Sequence, residues 1–174
     1  NLFQTDTDVS LEEYKQPIFF KAIELGHQDM FRYCIHEGIY TSFKDNALIL
    51  CVKHRRKEFL QELLRAEPFS QSIVKAAYRT CVREGLEDFI TIFHEGGYQW
   101  TEHDFKEAVL KGSLKLVQYY QGQGMDVSWN NQFALCQSAK QGYDEMVRYL
   151  CQQPSVDVHA QDDYALRWAS AKGY

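Results

Sequence analysis

Two ten-residue stretches near the end of the chain follow almost the same pattern, ALCQSAKQGY at 134–143 and ALRWASAKGY at 165–174. In both, a leucine stands near the start, small residues in the middle and a glycine close to the end. Weaker copies run back toward the N-terminus, and an anchor residue equivalent to this glycine recurs roughly every 27–31 residues. A period of this size indicates a repeat architecture, in which one small unit is stacked several times. The anchors are Gly26, Arg55, Gly85, Gly112, Gly142 and Gly173.

Two positions before each anchor keep their character in every copy. The residue four before the anchor is always small: Ala22, Cys51, Cys81, Ala108, Ser138 and Ala169. The residue seven before it is always large and apolar: Phe19, Leu48, Tyr78, Phe105, Leu135 and Leu166. Offsets of three and four place residues on one face of a helix. We therefore predict a helix before each anchor, whose small residue lets a neighbouring helix come close.

A second apolar pattern follows each anchor. Paired apolar residues come first: Met30-Phe31, Phe59-Leu60, Phe89-Ile90, Leu116-Val117 and Met146-Val147. Three or four residues further on stand Cys34, Leu63, Phe93, Tyr120 and Leu150. This spacing predicts a second helix, and a glycine in the left-handed conformation would end the first helix and allow a tight turn. Such an antiparallel helix pair cannot bury its apolar face alone and stacks on the next pair. The chain is thus expected to be all-α.

The pattern resembles the ankyrin repeat, and it is closest to a divergent, shortened form common in amoebae and in the large DNA viruses that infect them. The stretch VDVHAQDDYALRWASAKGY at 156–174 is the most similar to that form. The Thr-Pro-Leu-His opening of the standard repeat is absent, although its leucine is retained as Leu48, Leu135 and Leu166. The resemblance implies a solenoid of stacked antiparallel helix pairs joined by short fingers, and a role in protein–protein interaction.

The repeat divides the chain into two parts. Residues 1–13 are interpreted as an N-terminal lead-in or cap, and residues 14–174 as five repeats plus the first helix of a sixth. The first helix of repeat one is expected to run from Pro17 to Leu25, because proline is well tolerated near a helix start. Solenoids need polar caps at their ends, and the last helix would be left with an uncovered apolar face. We therefore expect further repeats beyond residue 174.

Composition limits the classes of partner. The net charge of −5 weighs against general nucleic-acid binding, which needs a basic surface. No apolar run approaches the roughly 18 residues that a membrane-spanning helix needs, and no signal peptide is recognisable. The five cysteines form no Cys-x-x-Cys pair and have no zinc spacing. We predict that they are buried free thiols, which favours a reducing intracellular compartment, the cytoplasm or a host-cell cytoplasm.

One anchor lies in a basic segment, Lys53-His54-Arg55-Arg56-Lys57. Such a cluster is compatible with a nuclear-import signal or an anion site. The alternative, which we favour, is a solvated helix–helix turn in which a long polar residue has replaced glycine.

No catalytic arrangement is recognisable. There is no Gly-x-Ser-x-Gly elbow, and Gly122-Gln123-Gly124 lacks the lysine and preceding strand of a phosphate-binding loop. His36-Glu37 and His94-Glu95 recur at one repeat position without the second histidine of a zinc protease, which favours a structural role at a helix end. We therefore predict a protein that is not an enzyme and has no cofactor, metal or small-molecule substrate.

Most aromatic residues lie on the repeating apolar faces, and a few lie in the predicted fingers. Solenoids bind partners through the concave surface made by fingers and inner helix faces, and tryptophan and tyrosine dominate interface hot spots. For Trp100 and Trp129, packing between neighbouring fingers is the alternative to partner contact. The predicted partner-binding residues are Tyr40 and Phe43, which we expect to be part-exposed, and Tyr98, Trp100 and Trp129.

Three functions are compatible with the sequence. The first is an interaction module that binds a protein partner of unknown identity. The second is a structural component of a large assembly, such as a viral particle. The third is the targeting arm of an enzyme whose catalytic domain lies outside this stretch.

Overall fold

A computed structural model describes residues 6–66 and 68–174, with side chains from residue 13 onward. The described part of the chain is all-α, as predicted, and contains no strand. A short 3-10 turn covers Thr41–Phe43. The α-helices are α1 (Asp6–Leu25), α2 (Gln28–His36), α3 (Lys44–Lys53), α4 (Lys57–Ala66), α5 (Gln71–Glu84), α6 (Glu87–Glu95), α7 (Glu102–Leu110), α8 (Leu114–Gly122), α9 (Trp129–Gln141), α10 (Asp144–Leu150) and α11 (Ala160–Lys172).

The chain divides into two compact units. The first extends to residue 81 and includes residues 88–98, and the second comprises residues 82–87 and 99–174. Within the first unit α1 packs on α2 and α3, α3 on α4, and α2 on α4. Within the second unit α7 packs on α8 and α9, and α9 packs on α10 and α11. The pairs α1–α2, α3–α4, α7–α8 and α9–α10 are thus hairpins of consecutive helices, and within each unit a hairpin packs on the helices that follow it.

The first unit is built around aromatic rings that the repeat pattern predicts to be apolar contacts. Phe19 of α1 stacks on Phe31 of α2 at 5.4 Å between ring centroids, and Phe31 stacks on Phe59 of α4 at 4.1 Å. Offset stacking of this kind adds to the free energy gained by burying apolar area. The large residues Phe19, Leu48 and Tyr78 and the small residues Ala22, Cys51 and Cys81 are all buried.

The second unit repeats this arrangement up to α9. Phe105, Leu135, Ala108 and Ser138 are buried. The equivalence ends at α11, where Ala169 is half-buried and the side chain of Leu166 is 65% exposed. In the α9–α10 hairpin a second helix packs beside the first, whereas no such helix lies beside α11 among the described residues. The same leucine position is therefore core in α9 and surface in α11.

Each anchor has the left-handed backbone that the sequence predicts, including Arg55 at φ 56°. In three cases a planar side chain from the next repeat lies against the anchor. The ring of Tyr143 covers Gly112, the ring of Tyr174 covers Gly142, and the guanidinium of Arg56 covers Gly26. The Tyr143 hydroxyl donates a hydrogen bond to the Leu110 carbonyl at 3.1 Å, one of the carbonyls that the end of α7 leaves without a helical partner.

The N-terminal boundary differs from the prediction. Helix α1 begins at Asp6 and runs without interruption to Leu25, so Pro17 lies inside a helix and not at its start. The proline removes one backbone donor from that helix. Residues 1–5 of the predicted lead-in lie outside the described residues.

Two first helices contain a kink close to their start. Left-handed residues lie at 130–132 in α9 and at 161–163 in α11, so the regular part of each helix begins only after them. For residues other than glycine, this conformation costs roughly 1–2 kcal/mol per residue. Both kinks occupy equivalent repeat positions, so each finger turns into its helix through the same distortion.

The cysteines are free thiols, and the prediction that they are buried is confirmed for Cys34, Cys51, Cys81 and Cys136. It is wrong for Cys151, which follows the last residue of α10 and is exposed. Burial raises the pKa of the Cys81 thiol to about 12 and also raises the pKa of the Cys51 thiol. Desolvation disfavours the thiolate, which is the reactive form.

We therefore expect the folded protein to react at one thiol. Titration with a chromogenic disulfide reagent at pH 8 should modify Cys151 rapidly and the four buried cysteines only after denaturant is added. A Cys151→Ser variant should show almost no rapid phase. Rapid modification of two or more thiols in that variant would contradict the described packing.

Candidate partner-binding surface

The predicted partner-binding residues of the first unit have different environments. Tyr40 is only 3% exposed, and its ring lies 6.1 Å from that of Phe19. Phe43 is half-buried and makes an edge contact of 5.8 Å with Phe20. The expectation that Tyr40 is part-exposed is wrong, because its ring completes the aromatic cluster around Phe19. Phe43 is part-exposed, as predicted.

Tyr98 is also a core residue, with 7% of its surface exposed. Its ring lies 4.2 Å from the ring of Tyr78. The hydroxyl of Tyr78 lies 3.1 Å from Nε2 of His94, within hydrogen-bond distance. His94 therefore bonds to a core tyrosine near the end of α6, which agrees with the structural role predicted for His94-Glu95. As it stands, Tyr98 supports the segment after α6 and offers little surface to a partner.

The two finger tryptophans of the second unit are both half-buried. Trp100 lies 5.5 Å from the ring of Tyr120 in α8. Trp129 makes edge contacts with Phe105 at 6.4 Å and with Phe133 at 6.0 Å. Each indole is thus held against helices while part of its surface faces solvent. This is the environment expected of a rigid aromatic anchor.

The backbone before Trp129 is held by a compact hydrogen-bond cluster. The carboxylate of Asp126 accepts bonds from the Ser128 hydroxyl at 2.6 Å and from the Ser128 amide at 2.9 Å. These bonds stabilise the charged form and lower the pKa of Asp126. The Trp129 amide donates to the Asp126 carbonyl at 3.0 Å. The backbone that carries the indole is therefore fixed before any partner binds, which lowers the conformational entropy lost on binding.

The basic segment 53–57 is engaged in intramolecular contacts at two of its residues. Arg56 donates from Nε to the Ile23 carbonyl at 3.0 Å and from its terminal nitrogen to the Glu24 carbonyl at 2.6 Å. Lys57 forms an ion pair with Asp88. Sequence reasoning missed the Arg56 contact, although the repeat register contained a signal for it. Arg56, Tyr143 and Tyr174 each directly follow an anchor residue.

Replacing Arg56 by alanine should lower the free energy of unfolding by about 1–3 kcal/mol, because two charge-assisted hydrogen bonds to helix-end carbonyls are lost. Arg55 provides a matched control, since its side chain is exposed. Arg55→Ala keeps the Cβ atom in the left-handed region and should change stability by less than about 0.5 kcal/mol. Urea unfolding monitored by circular dichroism measures both. Equal shifts for the two variants would refute the proposed importance of the Arg56 contact.

Two other kinds of site are absent from the part of the chain that the structure describes. No group of three or more histidine, cysteine or carboxylate side chains is placed to hold a metal ion among these residues. Nor does any described helix combine the length and apolar character that crossing a bilayer requires.

The chain was compared with known proteins at three levels. Neither a protein-family model, nor a curated protein sequence, nor a solved structure matches it. The likeness to ankyrin repeats therefore rests on the residue pattern described above.

Proposed function

We propose that this chain is a non-catalytic protein–protein interaction scaffold, built as an ankyrin-like solenoid with short fingers. One observation carries the proposal: positions equivalent by sequence register are buried in the same way in successive helix pairs. The residues seven before the anchor are the clearest case: Phe19, Leu48, Tyr78, Phe105 and Leu135. Stacked pairs of this kind present an extended surface, and such surfaces serve binding in solenoid proteins.

The partner is a protein that contacts the finger aromatics and the inner helix faces, in a reducing intracellular compartment. Phe43, Trp100 and Trp129 supply the exposed aromatic area. Tyr40 and Tyr98, which are buried, hold their own segments in place within the first unit. A few large aromatic side chains typically carry most of the binding free energy of an interface.

An affinity capture compares the wild-type chain with a Trp100→Ala, Trp129→Ala double variant, using lysate of the source organism and quantitative mass spectrometry. Truncating a hot-spot tryptophan costs at least about 2 kcal/mol of binding free energy. We therefore expect at least one specifically captured protein to fall more than tenfold with the double variant.

A Tyr33→Ala variant controls for loss of an exposed aromatic residue elsewhere, since Tyr33 lies on the second helix α2 and is exposed. Because both tryptophans also pack on helices, thermal unfolding of each variant must show that it is folded at the capture temperature. Equal recovery of every partner by the wild type and the folded double variant would defeat this choice of surface.

A further inference from the structure

One face of the first helices of the second unit, α7, α9 and α11, carries a line of lysine and aromatic side chains. The amine of Lys106 in α7 lies 5.8 Å from the ring centroid of Phe133 in α9. The amine of Lys140 in α9 lies 4.8 Å from the ring centroid of Trp168 in α11. Phe133 also contacts the finger residue Trp129, at 6.0 Å between ring centroids. We call these five residues the lysine–aromatic stripe.

The helical residues of the stripe lie on a different face from the hairpin core. They stand two, five, six or nine residues before an anchor, and these offsets share one side of a helix. The buried large and small residues stand seven and four before it. Helix α9 packs on both α7 and α11, and its stripe residues Phe133 and Lys140 are nevertheless half-buried and not buried. Their exposed area therefore lies on the surface of the stacked helices and does not arise from an end of the stack.

The lysines of the stripe differ in their partners from lysines on the second helices. Lys57 pairs with Asp88, and Lys115 pairs with a carboxylate of Glu87 at 3.5 Å. Within the described part of the chain, Lys106 and Lys140 have no carboxylate partner and lie over aromatic rings. A cation–π contact positions an ammonium group and leaves N–H donors for an acceptor. The two amines are thus ordered before a partner binds, which lowers the entropy lost on binding.

Charge is unevenly distributed along the three first helices. The segments 106–111, 136–141 and 167–172, which directly precede the anchors, contain one carboxylate, Glu107, and five cationic side chains: Lys106, Lys111, Lys140, Arg167 and Lys172. Glu102, Asp162 and Asp163 lie near the helix starts, and Asp163 pairs with His159 at 2.7 Å. Because the whole chain has a net charge of −5, this positive excess belongs to the surface and not to the composition.

We propose that the lysine–aromatic stripe binds an acidic segment of the protein partner, in which carboxylates alternate with large apolar side chains. The inference rests on the interaction role proposed above and names the chemistry of the partner. Carboxylates of the segment pair with Lys106, Lys140 and Arg167, while its apolar side chains contact the part-exposed rings of Phe133 and Trp168. The rings supply most of the affinity, and the charges steer association and select the partner.

The spacing of the cations defines a probe. Lys106, Lys140 and Arg167 stand on successive first helices, and packed helices lie about 8–10 Å apart. A chain in the polyproline II conformation advances about 3.1 Å per residue and returns to the same face at every third residue. A segment of this kind therefore matches the stripe with the pattern acidic–x–x–acidic–x–x–acidic. The probe is the fluorescein-labelled peptide Gly-Glu-Leu-Pro-Glu-Leu-Pro-Glu-Gly.

Fluorescence anisotropy measures binding of this peptide to the 174-residue chain at low salt. We expect saturable binding with a Kd roughly in the micromolar to sub-millimolar range, and weaker binding as added salt screens the charges. A peptide with lysine in place of each glutamate should bind at least about tenfold more weakly, because like charges then face each other.

A matched pair of double variants locates the peptide. Lys106→Gln, Lys140→Gln should weaken binding by about four- to twentyfold, the product of two exposed ion pairs. Lys57→Gln, Lys115→Gln changes the net charge equally on the second helices and should weaken binding less than about twofold. Lys106→Arg, Lys140→Arg keeps both charges and should retain binding. Thermal unfolding must show that every variant is folded at the assay temperature.

Three results would overturn the proposal. The first is no saturable binding of the acidic peptide, and the second is an equal loss in the two glutamine variants, which would mean that net charge alone attracts it. The third is tighter binding of a short oligouridylate, which would assign the stripe to single-stranded nucleic acid. If the peptide fails while affinity capture still depends on Trp100 and Trp129, the scaffold function stands and only the acidic partner is wrong.

Discussion

Replacing Leu135 by alanine is expected to lower the free energy of unfolding by about 2–5 kcal/mol, whereas the same replacement at Leu166 should change it by less than about 0.5 kcal/mol. The two leucines occupy the same repeat position, seven residues before an anchor. Leu135 is 2% exposed, so its truncation leaves a cavity in a packed core, while Leu166 is mostly in solvent. Urea or thermal unfolding of the two variants and the wild type measures the difference.

This comparison separates sequence pattern from packing. The two sites have the same side chain, receive the same substitution and occupy equivalent helix positions, so helix propensity does not differ between them. Equal destabilisation by the two variants would mean that Leu166 is buried in solution, for example by self-association. Dilution would then reduce the effect at Leu166 and leave the effect at Leu135 unchanged.

The second large effect is expected when glycines are replaced by alanine at positions that differ in backbone conformation and in neighbouring atoms. Gly112→Ala should destabilise the protein by about 1.5–3.5 kcal/mol, the sum of a backbone cost and a weakened contact. The left-handed conformation, at φ 71°, costs a residue with a Cβ atom roughly 1–2 kcal/mol. That atom would also lie 2.9 Å from the ring of Tyr143, so the ring must move. The move weakens the bond from the Tyr143 hydroxyl to Leu110, typically worth about 0.5–1.5 kcal/mol.

Alanine substitutions at two other glycines separate the backbone cost from the cost of the weakened contact. Gly85 is also left-handed, at φ 66°, but nothing lies within 4 Å of its added Cβ, so Gly85→Ala should cost only the strain of about 1–2 kcal/mol. Gly122 is the last residue of α8, its φ is not positive and open space surrounds its added Cβ, and alanine is favoured over glycine in a helix by up to roughly 0.5–1 kcal/mol. Gly122→Ala should therefore stabilise the protein. Destabilisation by all three variants to the same degree would contradict the Tyr143 contact.

Much of the fold could be predicted from the sequence because the same local signals recur in every copy. Helix pairs, left-handed anchors and buried small residues such as Ala108 and Ser138 follow from spacing alone. Where the repeat pattern is weak in one copy, the other copies support the assignment. This is why Arg55, which lacks the conformational freedom of glycine, could still be assigned as an anchor.

The features that sequence reasoning missed depend on contacts between residues far apart in the chain. The burial of Tyr40 depends on the position of Phe19, and that of Tyr98 on Tyr78. Neither contact has a periodic signal. The kink near the start of α9 consists of three consecutive left-handed residues without a glycine among them, and residues with a Cβ atom adopt this conformation only singly as a rule. The candidate surface was therefore only partly predictable, with Phe43, Trp100 and Trp129 exposed in part and the two tyrosines not.

The side chains that cover the anchors have a consequence for synthesis on the ribosome. Gly26 is covered by Arg56, Gly112 by Tyr143 and Gly142 by Tyr174, so each turn is completed by a residue translated about thirty positions later. At typical elongation rates of about 5–20 residues per second, a newly emerged hairpin waits seconds for its cover. Folding of this chain during synthesis should therefore be completed stepwise, so that each of these three turns is fully covered only after the following hairpin has been synthesised.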